Sequence, residues 1–339
     1  MRAVVMRPNS LSVEERPIPR PGPGQVLVKT LACGICGSDL HLYRHAQSFY
    51  DMGVAAGVSK EILERGVILG HEFVGEIVEF GPDTDQSLEI GARVLSVPFL
   101  SNDEDRVPHG ATPFIDGAYA EYFILTEEYL LAIPDELETE AAALTEPLAI
   151  GLHAVNASAV SDQAVVLGCG PIGLAVIAAL TSQGCQKVIA SDLSSHRLGL
   201  AQQTGATITV DANRDSPFDH VDTLAPVAVY ECTGVGGMIE RSIQAVPSGS
   251  EIIVAGISHG QEAITPSIAI SKETTIRFVS FYAKAEFATA LRMLSKGEIN
   301  WQSWVSEQVS LDNVASAFER FATDAQHVKM LVNPTLSSA

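Results

Sequence analysis

The sequence predicts an α/β protein built from an irregular β-domain and a doubly wound parallel-sheet domain. From Met1 to about Phe99, short β-rich runs are separated by Pro and Gly clusters, which is typical of a mostly antiparallel β-domain. From about Ser161, apolar strands, glycine turns and helical stretches alternate, which indicates a parallel sheet covered by helices on both faces. A length of 339 residues is sufficient for two such domains.

The first domain is predicted from its strands. Three strand candidates are Ala3–Met6, Val26–Lys29 and Phe73–Val78. A helical stretch from Ser59 to Arg65, stopped by Gly66, interrupts the long segment between His41 and His71. This long segment is expected to flank the functional site that the two histidines indicate.

The second domain is predicted from five apolar strands. They are Ala164–Leu167, Lys187–Ala190, Ala228–Tyr230, Glu251–Ala255 and Thr275–Val279. Two later stretches with helical periodicity, Ala285–Leu294 and Val314–Phe321, resemble neither half and are predicted to return to the first domain. The predicted domains are therefore 1–150 with 286–339, and 151–285.

Composition excludes several classes of partner. The chain has 21 basic and 41 acidic residues, and its net charge of −20 would repel nucleic-acid phosphates and anionic membranes. No apolar run reaches the roughly 20 residues that span a bilayer, and the amino end lacks the pattern of a signal peptide. A cytoplasmic location is expected. The odd number of scattered cysteines, five in all, favours reduced thiols.

A glycine motif predicts dinucleotide binding. It follows an apolar strand and opens a helix, and Asp192 stands at the end of the next strand, where it can accept hydrogen bonds from ribose hydroxyls and oppose a 2′-phosphate. The sequence therefore predicts NAD in preference to NADP, although Arg197 leaves some use of NADP open. The predicted cofactor-binding residues are Gly168, Gly170, Pro171, Ile172, Gly173, Asp192 and Arg197.

A second constellation predicts a metal. Cys36, His71 and Glu72 supply a soft sulfur, an imidazole and a carboxylate, a mixed set that suits Zn²⁺. Three protein ligands and an exchangeable position would give a metal that polarises a substrate oxygen. Cys33 forms a CxxC with Cys36, but no second CxxC occurs, so Cys33 is interpreted as a small buried residue. Metal and dinucleotide together indicate alcohol oxidation.

Several motifs in register resemble the zinc-dependent medium-chain alcohol dehydrogenases over essentially the whole chain. They are Pro21–Gly24, Cys33–His41, Gly70–Phe73, Gly117–Tyr122, Glu146–Ala149 and the glycine motif. The Glu146–Ala149 block, the long segment before Gly70 and the closing run His327–Val332 are most similar to the butanediol and sorbitol dehydrogenase branch. The resemblance implies a GroES-like β-domain and a Rossmann domain.

The resemblance also implies roles for individual residues. Cys36 and His71 would ligate the catalytic zinc, with the carboxylates of Glu72 and Glu146 as further ligands, directly or through water. Asp39 would fix the tautomer of the His71 imidazole.

Two more residues, Ser38 and His41, match the family's proton relay. The four cysteines of a structural zinc are missing from 96–117, so one catalytic ion per subunit and no structural zinc are expected. In that segment, 102–106 is interpreted as a solvated loop and His109 as a surface histidine.

The predicted function is reversible hydride transfer between NAD and a small secondary alcohol or vicinal diol, such as 2,3-butanediol or a polyol. Alternatives are a zinc-independent enone or quinone reductase of the same fold, an L-threonine dehydrogenase-like activity, and a catalytically silent NAD-binding redox sensor. A homodimer or homotetramer is expected, with the strand near 275–281 as the edge that pairs with a second copy.

Overall fold

The computed structural model describes residues 1–101, 106–258 and 260–337. The chain divides into two compact units, one formed by Met1–Glu146 with Val305–Ala339 and the other by Pro147–Trp304. Segment 102–105, most of the predicted solvated loop, lies outside the described residues. Within the described residues, no helix combines the length and the apolar character needed to cross a bilayer.

The amino-terminal part of the first unit is mainly β-structure. Its strands are β1 (Arg2–Arg7), β2 (Ser10–Glu15), β3 (Gln25–Gly34), β4 (Val67–Ile68), β5 (Glu72–Phe80), β6 (Arg93–Ser96), β7 (Phe99–Ser101), β8 (Arg106–Pro108), β9 (Tyr122–Thr126) and β10 (Leu130–Ala132). Its helices are α1 (Gly37–Arg44), α2 (Ala46–Ala55), α3 (Lys60–Arg65), α4 (Thr139–Ala142) and the start of α5 (Thr145–Asn156). A short 3₁₀ turn covers Glu127–Tyr129.

The second unit alternates strands and helices. Its strands are β11 (Gln163–Leu167), β12 (Lys187–Asp192), β13 (Ile208–Asp211), β14 (Ala228–Glu231), β15 (Glu251–Val254) and β16 (Thr275–Phe278). Its further helices are α6 (Pro171–Ser182), α7 (Ser195–Thr204), α8 (Met238–Ala245), α9 (Pro266–Lys272) and α10 (Lys284–Ser295), with a 3₁₀ turn at Pro217–His220. All six strands are parallel, in the order β13-β12-β11-β14-β15-β16.

The chain then returns to the first unit through β17 (Val305–Val309), a 3₁₀ turn at Leu311–Asn313, α11 (Val314–Thr323) and β18 (Lys329–Val332). Strand β18 pairs antiparallel with β3, so that Leu331 lies opposite Gly34 and Val332 opposite Cys33. The carboxyl-terminal strand is thereby built into the seven-stranded sheet, in which β3 also pairs with β5 and β9. Two smaller sheets, β2-β1-β4 and β7-β8, complete the unit.

The fold class predicted from the sequence is confirmed. Each unit has its own apolar core: β1, β3, β5 and α11 supply side chains to the first, and β11, β14, β15 and α8 to the second. Central strands such as β11 are buried along their whole length, because helices cover both faces of a parallel sheet.

The second unit extends further along the chain than the sequence predicts. Helix α10 belongs to it, whereas the predicted limit at 286 placed most of that helix in the first domain. The physical reason is a link to α5: the Glu286 carboxylate accepts hydrogen bonds from Asn156 Nδ2 at 2.8 Å and lies 2.9 Å from His153 Nδ1. The return to the first unit comes only after Trp304, whose indole donates to Thr204 Oγ1 at 3.2 Å.

Candidate active site

Three of the predicted ligands lie together in the first unit. The sulfur of Cys36, an imidazole nitrogen of His71 and a carboxylate oxygen of Glu72 all lie within 4.8 Å of one another, the one such group among the described residues. Cys36 precedes α1 as its N-cap residue, and Glu72 is the first residue of β5. The positive end of the α1 dipole therefore lies close to the sulfur, where it favours an anionic ligand.

Asp39 lies beside the His71 ring. Its Oδ1 atom lies 3.4 Å from His71 Nδ1 and makes no hydrogen bond, while its Oδ2 accepts from the Cys36 amide at 3.0 Å and the Tyr119 hydroxyl at 2.7 Å. With Nδ1 facing a carboxylate, Nε2 is left for a ligand. Nε2 lies 3.5 Å from the hydroxyl oxygen of Ser38.

The charges and hydrogen bonds around His71 favour a positive charge at its ring. Burial alone would lower the pKa of His71, but Asp39 and the contact with Cys36 outweigh it and raise that pKa well above its usual value. Burial alone would raise the pKa of Asp39, yet His71 and the hydrogen bonds bring it below its usual value. A positive charge is thus stabilised between a carboxylate and a sulfur, and a divalent ion can supply it in place of a proton. The donor set fits zinc.

Glu146 stands apart from this group. It is buried in the first turn of α5 but is outside the set of ligand atoms within 4.8 Å of one another. It lies close enough to Lys329 to raise the pKa of that side chain. Its role as a zinc ligand stays a prediction.

The predicted relay residues lie on α1. Ser38 and His41 are three residues apart on one face of this helix, and the His41 ring lies 4.3 Å from the His45 ring, measured between centroids. Both Ser38 and His41 are partly exposed. Their role as a proton relay stays a prediction.

The predicted cofactor residues surround the turn from β11 into α6 in the second unit. Gly170 is the N-cap residue of α6 and Pro171 its first residue. A side chain at Gly173 would collide with the carbonyl oxygen of Gly168, so only glycine allows this close approach of helix and strand. Because Pro171 has no amide hydrogen, three amides at the start of the helix, those of Gly170, Ile172 and Gly173, can face a phosphate.

The carboxylate of Asp192 lies at the same turn. Its oxygens accept from the amides of Cys169 at 2.7 Å and Ser194 at 2.8 Å. The Arg197 guanidinium reaches the turn as well, since its Nη1 lies 4.0 Å from the position of a β-carbon on Gly170. The structure thus brings together a carboxylate suited to ribose and a cation suited to phosphate.

Two family models match most of the chain. Residues 22–135 match the alcohol dehydrogenase GroES-like domain, and residues 171–296 match the zinc-binding dehydrogenase domain. Sorbitol dehydrogenase of Gallus gallus is 31% identical over 94% of this chain and 92% of its own length. (R,R)-butanediol dehydrogenase of Bacillus subtilis is 31% identical over 96% of both chains. The chain belongs to the zinc-dependent medium-chain alcohol dehydrogenases.

Solved structures of other medium-chain dehydrogenases resemble this one over nearly the whole chain. The crystal structure of 2R,3R-butanediol dehydrogenase from Bacillus subtilis has a TM-score of 0.84 at 30% identity and covers 98% of this chain and 99% of its own. A zinc-binding dehydrogenase from Sinorhizobium meliloti, bound to NADP, has a TM-score of 0.84 at 27% identity with the same coverage. As a member of this family, the protein is an alcohol dehydrogenase that uses zinc and a nicotinamide cofactor.

Sequence reasoning missed two buried partners of the site. Tyr119 was recognised only as part of a motif, and its hydroxyl binds Asp39. Lys329, 1% exposed, binds Glu72; the available signal was one lysine inside the apolar run Val328–Val332. His109 was interpreted as a surface histidine, and this is wrong: it is 1% exposed, and its ring lies 5.5 Å from that of Phe73.

Proposed function

We propose that this medium-chain dehydrogenase oxidises a small secondary alcohol or vicinal diol with NAD, and reduces the corresponding ketone, at a zinc ion held by Cys36, His71 and Glu72. The observation that carries the proposal is the clustering of these three donors, with Asp39 behind the imidazole. The similarity to butanediol and sorbitol dehydrogenases supports the substrate class.

The bound zinc supplies a Lewis acid that polarises the substrate oxygen and lowers the pKa of its hydroxyl. Cys36 and His71 hold the ion, and Asp39 keeps the His71 Nδ1 protonated so that Nε2 is the ligand. Ser38, whose oxygen lies 3.5 Å from His71 Nε2, accepts the hydroxyl proton and passes it to His41 and solvent. A bound nicotinamide would accept a hydride from the alcohol carbon, and the products would be a ketone, the reduced cofactor and one proton.

The proposed metal site is tested by comparing the two cysteines of the CxxC. Cys36→Ala should lose zinc, measured by elemental analysis, and kcat/KM should fall by at least roughly a hundredfold because a Lewis acid supplies several kcal/mol. Cys33→Ala is the matched control: Cys33 is fully buried and outside the donor group, so zinc should be retained. Equal zinc content in the wild type and Cys36→Ala would refute the site.

The proposed substrate class is tested with a panel of alcohols. The absorbance of reduced nicotinamide is followed with 2,3-butanediol stereoisomers, sorbitol, primary alcohols and L-threonine, each with NAD and with NADP. We expect the highest kcat/KM for a vicinal diol or polyol. A clear preference for primary alcohols or for L-threonine would contradict the proposed substrate, while leaving the zinc site intact.

A further inference from the structure

A cleft in the second unit is lined by none of the residues of the two proposed sites. Its volume is about 890 Å³, and we call it the distal cleft. The last turns of α6, α7 and α10 line it together with segment 297–302. Pockets that hold small molecules typically measure about 300–1,000 Å³, so the distal cleft has room for one.

The distal cleft is remote from the cofactor turn of the same unit. Helix α6 begins at that turn and has 12 residues, so it is about 18 Å long. The cleft is lined by Thr181 and Ser182, which lie at the carboxyl end of this helix. A small molecule in the cleft is therefore too far away to contact a cofactor phosphate at Gly170.

The walls of the distal cleft are fixed by the backbone and by hydrogen bonds. After α10, Gly297 has a φ of 69°, and the amide of Glu298 donates to the Met293 carbonyl at 3.0 Å. At the other end of this segment, the Trp304 indole donates to Thr204 Oγ1, in the last turn of α7, at 3.2 Å. Fixed walls need little ordering when a ligand binds, which favours affinity.

The distal cleft carries no excess charge. Arg292 and Glu298 are the two charged residues of its lining, and Arg292 Nη1 lies 3.3 Å from Glu298 Oε1. Each of these charges already has an opposite charge as its partner. The lining therefore favours neither an anion nor a cation.

The other polar side chains of the lining are hydroxyls and amides, which together offer hydrogen-bond donors and acceptors. Within the described part of the chain, four of them are exposed to solvent and make no hydrogen bond to the protein. These four are Ser182, Gln203, Asn300 and Gln302. A ligand with several hydroxyls can bind several of them at once, because each hydroxyl both donates and accepts.

Trp301 is the one aromatic residue of the lining, and it is partly exposed. The face of an indole carries a partial negative charge. The carbon-bound hydrogens of a polyol are slightly positive because of the neighbouring oxygens, so they pack favourably on such a face. One aromatic face surrounded by amides and hydroxyls therefore matches a sugar better than it matches an apolar molecule.

We infer that the distal cleft is a noncatalytic binding site for a neutral polyhydroxylated molecule, either a monosaccharide or an alditol. The hydroxyls of this ligand bind the amides of Gln203, Asn300 and Gln302, and its carbon-bound hydrogens contact the Trp301 indole. The site is separate from the proposed zinc site, because no residue of its lining is a proposed zinc ligand.

Tryptophan fluorescence tests the site, because the chain has only two tryptophans. Trp304 is 2% exposed, whereas Trp301 is partly exposed and lines the cleft, so a bound ligand should change mainly the emission of Trp301. The zinc-loaded protein is titrated, without nicotinamide, with sorbitol and with methyl α-D-glucoside. We expect a saturable change with at least one of them at millimolar concentration. Its Kd should stay within about twofold between low and high salt, because neutral ligands are not screened.

Charged probes give the contrasting expectation. Spermidine and sulfate, titrated in the same way, should cause no saturable change. A charged probe that binds as tightly as the neutral ones would overturn the inference. The absence of saturation with both neutral probes would also overturn it.

Two neighbouring glutamines on α7 locate the bound probe. Gln203→Ala should weaken binding at least about threefold, because the ligand loses a hydrogen bond. Gln202→Ala is the matched control: Gln202 is exposed on the same helix but does not line the cleft, so the Kd should not change. If both variants bind the probe as the wild type does, the probe is not in the distal cleft.

The Cys36→Ala variant separates this inference from the proposed function. Calorimetry should give the same Kd for the neutral probe in Cys36→Ala and in the wild type. If binding is lost in Cys36→Ala and kept in Gln203→Ala, the probe occupies the proposed active site and the distal cleft is not its site. If Cys36→Ala retains zinc while Gln203→Ala weakens binding, the proposed zinc site fails and the inference stands.

Discussion

Two buried residues, Asp39 and Tyr119, lie behind the imidazole of His71. Tyr119 donates to Asp39, and Asp39 faces His71 Nδ1. Tyr119 and Asp39 are both fully buried, so their hydrogen bond is shielded from water. A chain of two buried polar groups thus leaves Nε2 as the nitrogen proposed to bind zinc.

Tyr119→Phe should weaken zinc binding by up to about tenfold, since outer partners of metal ligands typically contribute at this level. The folded state should also lose roughly 1–3 kcal/mol, because Asp39 loses a buried donor. Chelator competition and urea unfolding measure the two effects. Tyr43→Phe is the control, as Tyr43 packs edge-on against the same Phe318 ring but does not bind Asp39. Equal zinc affinity in the wild type, Tyr119→Phe and Tyr43→Phe would show that the hydrogen bond from Tyr119 to Asp39 does not influence zinc binding.

Because the pKa of His109 is lowered in the folded state, the free energy of unfolding depends on pH. Burial lowers its pKa, although the Ile124 carbonyl, 2.8 Å from Nε2, opposes the shift. The unfolded chain therefore takes up the proton more readily than the folded one, and the folded state loses stability as pH falls below about 6.5. Above that pH, His109 is neutral in both states and makes no such difference.

Between pH 7.5 and 5.5, we expect the free energy of unfolding of His109→Gln to fall by about 1 kcal/mol less than that of the wild type. Urea unfolding at the two pH values provides the measurement. His220→Gln, at an exposed histidine, should follow the wild type. The same pH dependence in the wild type and His109→Gln would show that His109 does not cause it.

At the level of elements, the turn from β11 into α6 and the end of β12 form the proposed cofactor site. The position of Asp192 is fixed by two backbone amides, which leaves other lone pairs of its oxygens for a ribose. Its charge opposes a 2′-phosphate, whereas Arg197 lies near enough to the turn to attract a phosphate. We expect the balance of these two charges to set the cofactor preference.

Asp192→Ala should reduce the ratio of kcat/KM for NAD over NADP by at least roughly tenfold, since it removes a charged hydrogen-bond acceptor and a repulsive charge together. Arg197→Ala should raise that ratio if the guanidinium assists a 2′-phosphate. Both ratios are measured by steady-state kinetics with NAD and with NADP. An unchanged ratio in Asp192→Ala would remove Asp192 from cofactor selection.

The elements that sequence reasoning located best are those with a local signature. The apolar runs before Gly168 and Asp192 became β11 and β12, and Ser59–Arg65 became α3 with Ser59 as its N-cap residue. The grouping of Cys36, His71 and Glu72 was also predicted, from the residue types and from the family resemblance. Contacts between residues far apart in the sequence could not be predicted. The sequence around Lys329 does not indicate its salt bridge with Glu72, and the sequence around Glu286 does not indicate its hydrogen bond with α5.

At the scale of the whole molecule, the six-stranded sheet ends at an uncovered strand. Among the described strands, β16 pairs with β15 alone, and Phe278 in β16 is 72% exposed. The nearby Ile270 in α9 is 74% exposed. Unpaired backbone groups beside exposed apolar side chains form a surface suited to a second copy of this chain.

We expect a dimer paired through β16, and Phe278→Lys should shift it toward monomer, because a lysine on an edge strand opposes strand pairing. Light scattering after size exclusion measures the mass. Leu224→Lys changes a 95% exposed leucine elsewhere in the second unit and should leave the mass unchanged. A monomeric wild type, or a dimer unaffected by Phe278→Lys, would reject this interface.

The salt bridge between Glu72 and Lys329 joins residues that are 257 positions apart in the sequence. The whole second unit lies between them along the chain. During translation, Glu72 in β5 leaves the ribosome long before Lys329 has been synthesised. A nascent chain that has not yet produced β18 cannot neutralise that carboxylate or complete the sheet beside Cys36. The salt bridge between Glu72 and Lys329 and the pairing of β18 with β3 can therefore form only after almost the whole chain has been synthesised.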